Sequence, residues 1–143
     1  MRSKRMQPIA HHAEQIQQQA VQVFVAAQQA VVDAHVQLEQ LIEYRVEYSN
    51  NRVNVGLNAL QLRDYQLFLH KLNLSIDQAR SNIELKKQQC EKEKLIWLKT
   101  RSRSKALDVV IEKYQQQETI LAARIEQKEQ AEHASRISSK SKL

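Results

Sequence analysis

From Ile9 onward, apolar residues return at alternating steps of four and three: Ala13, Ile16, Ala20, Val23, Ala27, Ala30, Ala34, then Leu41, Tyr44 and Tyr48, with Gln37 the one polar member. Seven residues make nearly two helical turns, so this series falls on one stripe and marks a coiled-coil seam. A second series keeps the same steps through Leu62, Tyr65, Leu69, Leu72, Ile76, Ala79 and Ile83, and on through Cys90, Trp97, Leu107, Ile111, Tyr114, Leu121 and Ile125. Its polar members are Lys86, Glu93, Thr100, Ser104 and Glu118, which predicts a weak seam, with bending or fraying, around 100–105. Between the two series, Ser49-Asn50-Asn51 weakens helical preference, Gly56 permits a positive backbone angle, and Asn58 with Gln61 has capping-box spacing. The pattern predicts an all-α fold: one antiparallel two-helix coiled-coil hairpin over 1–143, with helices at 9–49 and 59–136 and a turn at 50–58. Pro8 suits a first helical turn, which leaves 1–8 as a flexible tail; 137–143 lacks periodicity and is read as the other.

The two helices cannot match in length, since at 1.5 Å per residue they span roughly 60 Å and roughly 115 Å. If the chain pivots near 54, Ile9 lies opposite a residue near 99. Leu107, Ile111, Tyr114, Leu121 and Ile125 are then left without a partner from this chain, as a docking stripe for another protein or the seam of a self-dimer. The first helix also carries Val21, Phe24, Val31, Leu38 and Ile42 beside its seam. Either the two stripes form one broad core face or one of them receives a partner.

Composition agrees with helices and excludes several functions. One Gly and one Pro stand against abundant Ala, Gln, Glu, Lys and Leu. No apolar window reaches the ~18 residues of a membrane helix, and the basic start Met1–Arg5 is followed by no apolar run, so a cytoplasmic chain without a secretory signal is expected. The lone Cys90 reads as a small packed residue, and the terminal Ser141-Lys142-Leu143 as a chance match to a peroxisomal address. There is no phosphate-binding glycine loop, no Cys/His metal spacing and no nucleophile with a base in a pocket, so neither cofactor nor enzyme activity is expected. His11 and His12 are neighbours, which points them about 100° apart on a helix rather than into one metal clamp. The first helix sets Arg45 against Glu14, Asp33, Glu39, Glu43 and Glu47, so it is acidic and the remainder is basic. The acid-free run Lys94, Lys99, Arg101, Arg103, Lys105, close to Trp97, is a solvated face or a track for an acidic partner. A net charge of +6 without a recognised reading motif does not point to nucleic acid.

Three segments in order carry a family resemblance: Leu41-Ile-Glu-Tyr44-Arg-Val-Glu-Tyr48, the stretch Asp64-Tyr-Gln-Leu-Phe68-Leu-His-Lys-Leu72-Asn-Leu-Ser-Ile76-Asp-Gln78, and Ile125-Glu-Gln-Lys128-Glu-Gln-Ala-Glu132-His-Ala-Ser-Arg136. Over residues 9 to 136 the chain resembles the FliJ family. It departs at Leu62, where the family often has tryptophan, at Ala131, where aspartate is common, and at His133, where a larger apolar residue is common. The resemblance implies a hairpin similar to the central stalk of rotary ATPases, serving flagellar type III protein export without catalysis. It implies three partners: the hexameric export ATPase FliI, the export-gate protein FlhA and the flagellar export chaperones. It implies a place at the cytoplasmic face of the inner membrane at the flagellar base, peripheral through partners only. Carried over by position, the gate-binding band is Gln37, Leu41, Tyr44 and Tyr48 with Phe68, Leu72, Ser75 and Ala79; several of these also read as hairpin seam. The stripe Leu107, Ile111, Tyr114, Leu121 and Ile125 becomes the ATPase-ring contact. The alternatives are the equivalent stalk of a virulence injectisome and a self-associating coiled-coil scaffold.

Overall fold

With one proline and one glycine in the chain, little interrupts helix propagation, which adds a hydrogen bond for each residue fixed. A computed structural model, which describes residues 1–53 and 56–141, contains two helices, α1 (Arg2–Val53) and α2 (Ala59–Ser141), and no strand among the described residues. The fold is an all-α helical hairpin whose second helix is the longer, 83 residues against 52.

The start of α2 follows its sequence signal. The Gln61 N–H donates to Asn58 Oδ1 at 2.8 Å and the Asn58 N–H donates to Gln61 Oε1 at 3.2 Å, so two otherwise orphaned amides are satisfied reciprocally. Gly56 departs from expectation, because its φ is not positive and a Cβ there would meet nothing within 4 Å. Of the expected turn at 50–58, residues 50–53 continue α1, whereas Asn54 and Val55 lie outside the described residues.

Both helices extend into the segments expected as tails. Helix α1 begins at Arg2, so Pro8 stands in its second turn, where a missing N–H and a ring opposed to the preceding carbonyl work against the helix. Tertiary contacts hold the first turn, ahead of Pro8: the Ser3 hydroxyl and N–H donate to the Glu118 carboxylate at 2.6 and 3.2 Å, and the Arg2 guanidinium lies 5.8 Å from the centroid of the Tyr114 ring. At the other end α2 continues through residues 137–141, where no breaker follows and the Ser141 hydroxyl donates to the Ser138 carbonyl at 3.0 Å. Lys142 and Leu143, the rest of that expected tail, lie outside the described residues.

The hairpin divides into two compact units. In the first, residues 19–98, the core is Ala34 with Leu72, Ile76, Ala79 and Ile83, and Ile76 is only 1% exposed. The two apolar stripes of α1 merge here into one face: Ala27, Ala34 and Leu41 from one alternate with Phe24, Val31 and Leu38 from the other in burial. The larger side chains of the second stripe fill space that alanine cannot, so the contact line rotates toward them and Val23, Gln37 and Tyr44 are left exposed at its edge. Phe24 stacks on Trp97, with ring centroids 5.6 Å apart and planes 9° apart.

The second unit pairs residues 1–18 with 99–143. Ala10 and Ala13 are buried, and so are two serines, Ser3 and Ser104. The Ser104 hydroxyl donates to the Glu14 carboxylate at 2.9 Å, as Ser3 does to Glu118, so a serine of each helix binds a glutamate of the other. The polar seam positions Ser104 and Glu118 are thereby satisfied, and the fraying expected at 100–105 is absent: α2 is helical throughout that stretch. These bonds also place Ile9 opposite the stretch between Ser104 and Glu118 rather than near 99. Leu107, Ile111 and Tyr114 are therefore half-buried, not uncovered, while Leu121 and Ile125 stay 57% and 51% exposed.

Candidate functional site

In the unit of residues 19–98, the band suggested by the family resemblance is centred on four aromatic rings. Tyr48 is the hub: its ring centroid lies 4.5 Å from Phe68, 5.4 Å from Tyr65 and 6.4 Å from Tyr44, and Tyr44 meets Phe68 edge-on at 6.2 Å. Tyr48 stacks on Tyr44 and on Tyr65, while Phe68 meets Tyr48 tilted and Tyr44 edge-on, arrangements that aromatic rings favour. The Tyr65 hydroxyl donates to Ser49 Oγ at 3.3 Å, and the Arg45 guanidinium donates to Asn73 Oδ1 at 3.0 Å, so polar clamps between the helices accompany the cluster.

The eight residues of the band do not share one environment. Tyr44 is 49% exposed and Phe68 36%; Gln37 and Ser75 are exposed, and Leu41 and Tyr48 are half-buried. Leu72 and Ala79 are buried in the seam, Ala79 at the floor of the groove beside the rings. Beside the rings, Gln37, Leu41, Ser75, Gln78, Ala79 and Asn82 line an open groove of about 390 Å³. Such a surface offers rigid aromatic area bordered by amide and hydroxyl groups, a composition suited to docking a protein segment. Tyr65 belongs to the same cluster although its heptad spacing marks only the seam; its position one helical turn before Phe68 is the signal the sequence offers.

The second candidate surface lies on α2 in the unit of residues 1–18 and 99–143. Every residue from 119 to 141 is exposed, and this segment holds Leu121 and Ile125. Leu107, Ile111 and Tyr114 precede it, half-covered by the start of α1. The boundary between covered and bare helix falls at Glu118, whose carboxyl is held below its ordinary range by the Ser3 hydroxyl and N–H. Glu14 is lowered in the same way by hydrogen bonds from Gln18 and Ser104. Neither serine–glutamate pair was read from the sequence, since Ser3 fell in an expected tail and Ser104 counted only as a weak seam position.

Among the described residues no group of three His, Cys, Asp or Glu side chains is placed to hold a metal ion, and no helix is long and apolar enough to cross a membrane. Comparisons with curated proteins and with solved structures gave no match. The family model described as flagellar FliJ protein matches residues 2–143, essentially the whole chain. The aromatic band, the capped hairpin and the bare end of α2 are thus features of a chain that belongs to the FliJ family of flagellar type III protein export.

Proposed function

We propose that this chain is the non-catalytic stalk of the flagellar export apparatus, binding the FliI ATPase ring, promoting its assembly and activity, and coupling it to the export gate FlhA. The observation that carries this reading is the family match over residues 2–143. Two surfaces give it physical content. The half-exposed aromatic band of Tyr44, Tyr48 and Phe68, with Gln37, Leu41 and Ser75 at its border, is the gate contact, with Leu72 buried in the seam and Ala79 at the floor of the groove beside the rings. The ring contact is the α2 stripe of Leu107, Ile111, Tyr114, Leu121 and Ile125, in which Leu121 and Ile125 contribute the exposed part. Burial of two such side chains is worth about 1.5 to 3 kcal/mol each. The chain works at the membrane through these partners and escorts export chaperones to them.

Purified chain should bind the export ATPase and raise its hexamer-dependent hydrolysis. If it does neither, and light scattering finds a stable dimer of the chain alone, the scaffold reading takes its place.

A further inference from the structure

The net charge of +6 is confined to one unit: residues 1–18 with 99–143 hold thirteen Lys and Arg against seven Asp and Glu, while residues 19–98 hold nine of each. Within the charged unit the acids are also segregated. One flank of α2, followed at steps of four and three from Lys99, runs through Arg103, Ala106, Val110 and Lys113 and on to Arg124 without an acid. The other flank, through Arg101, Lys105, Asp108 and Glu112, is mixed. On α1 the stripe Arg2, Arg5, Ile9, His12 and Ile16, also at alternating three and four, carries no acid either. The structure brings the two stripes together: Ala13 and Ile16 with Lys99, Thr100 and Arg103 line a groove of about 220 Å³, and Arg2 lies over Tyr114 farther along. Glu14, the one acid of residues 1–18, is engaged by Ser104 and Gln18. Among the described residues Lys99 and Arg103 take part in no ion pair.

From these features we infer that the groove between Ile16 of α1 and Lys99 and Arg103 of α2 is the seat of an acidic amphipathic helix of a partner protein, which lies along the hairpin as a third helix. Lys99 and Arg103 border the groove, and its α1 wall is apolar, formed by Ala13 and the 37% exposed Ile16, with Ile9 of the same stripe 49% exposed beyond it. A helix with an apolar stripe bordered by Glu or Asp matches both properties, through heptad packing and charge complementarity. A nucleic acid matches one of them. Phosphates would meet the cations but leave Ile9 and Ile16 bare, and neither stripe carries a Phe, Tyr or Trp for base stacking. The assignment is independent of the gate and ring contacts proposed above, since it uses other residues.

The test uses the full chain and a synthetic helical peptide with leucines at heptad positions bordered by glutamates, labelled for fluorescence anisotropy. Saturable binding is expected, weakened about tenfold by Lys99→Glu with Arg103→Glu and, separately, by Ile16→Ser, each with its helical circular dichroism retained. Lys105→Glu, on the mixed flank, should change binding less than about twofold, and a peptide with lysines in place of the glutamates should not bind. Three results overturn the assignment. These are no saturable binding, equal loss with Lys105→Glu, and a single-stranded oligonucleotide that competes fully and is insensitive to Ile16→Ser.

Discussion

Two glutamates tie the end where α1 begins to α2, through Ser3 and Ser104. Hydroxyl and amide donors favour the ionised form, so Glu118 and Glu14 have folded-state pKa values below the ordinary 4.5. Being depressed in the folded state, they stabilise fully above the ordinary value, and that stabilisation is lost as pH falls through the lowered values. Acid should therefore open residues 2–14 first. Amide protection there is expected to decline below about pH 4.5 while that of residues 72–83 persists, and uniform loss along the chain would contradict it. Ser3→Ala should return the Glu118 carboxyl titration, followed by carbon NMR, toward its ordinary midpoint. Gly56 gives an opposite kind of prediction at the same scale. Its φ is not positive and its Cβ position is empty, so Gly56→Ala removes freedom only from the unfolded chain. A gain of about 0.4–1 kcal/mol is expected in denaturant titration, and destabilisation would show that the turn needs glycine.

The two helices were legible because heptad steps and the Asn58–Gln61 spacing are local properties of the chain. The contact line of α1 was not fully legible. Alanines at Ala13, Ala20, Ala27 and Ala34 mark a stripe, yet which neighbouring stripe fills the gaps depends on side-chain volume across the seam, and Phe24, Val31 and Leu38 win over Val23 and Gln37. The start of α1 was missed for a related reason: Pro8 is a strong local signal, and the contacts that override it come from Tyr114 and Glu118, more than one hundred residues away in sequence. Of the candidate site, the aromatic spacing was legible, whereas the burial of Leu72 and Ala79 required knowing where the seam ran. Packing at this scale gives a quantitative expectation. Ile76 is 1% exposed, and Ile76→Ala should cost about 2–5 kcal/mol, toward the lower end because a two-helix seam can partly collapse onto the vacancy. Leu121→Ala, on bare helix, should stay within about 0.5 kcal/mol of the parent in the same chemical denaturation, and a comparable loss at both positions would mean that 119–141 is covered.

For the molecule as a whole, the proposal assigns two partners to two surfaces that share no residue and belong to different units. Substitutions at sites without shared partners act independently, so the two functions should separate cleanly. Tyr44→Ala with Phe68→Ala removes half-exposed rings whose mutual contacts add about 0.5–1.5 kcal/mol beyond burial, a loss the seam of Leu72, Ile76 and Ile83 should survive with helicity intact. Gate binding is expected to weaken at least about tenfold, while stimulation of the export ATPase is kept, because aromatic anchors at the centre of an interface dominate its energy. Leu121→Asp with Ile125→Asp sets two charges on the exposed end of α2, where folding does not oppose them but an apolar docking site would. That variant should lose stimulation and keep the gate. Titrating both partners against both variants gives four binding curves, and the crossed pattern is specific to two separate contacts. A helix that met both partners through one surface would lose both in each variant, and aromatics serving only the core would show as collapsed circular dichroism with Tyr44→Ala and Phe68→Ala.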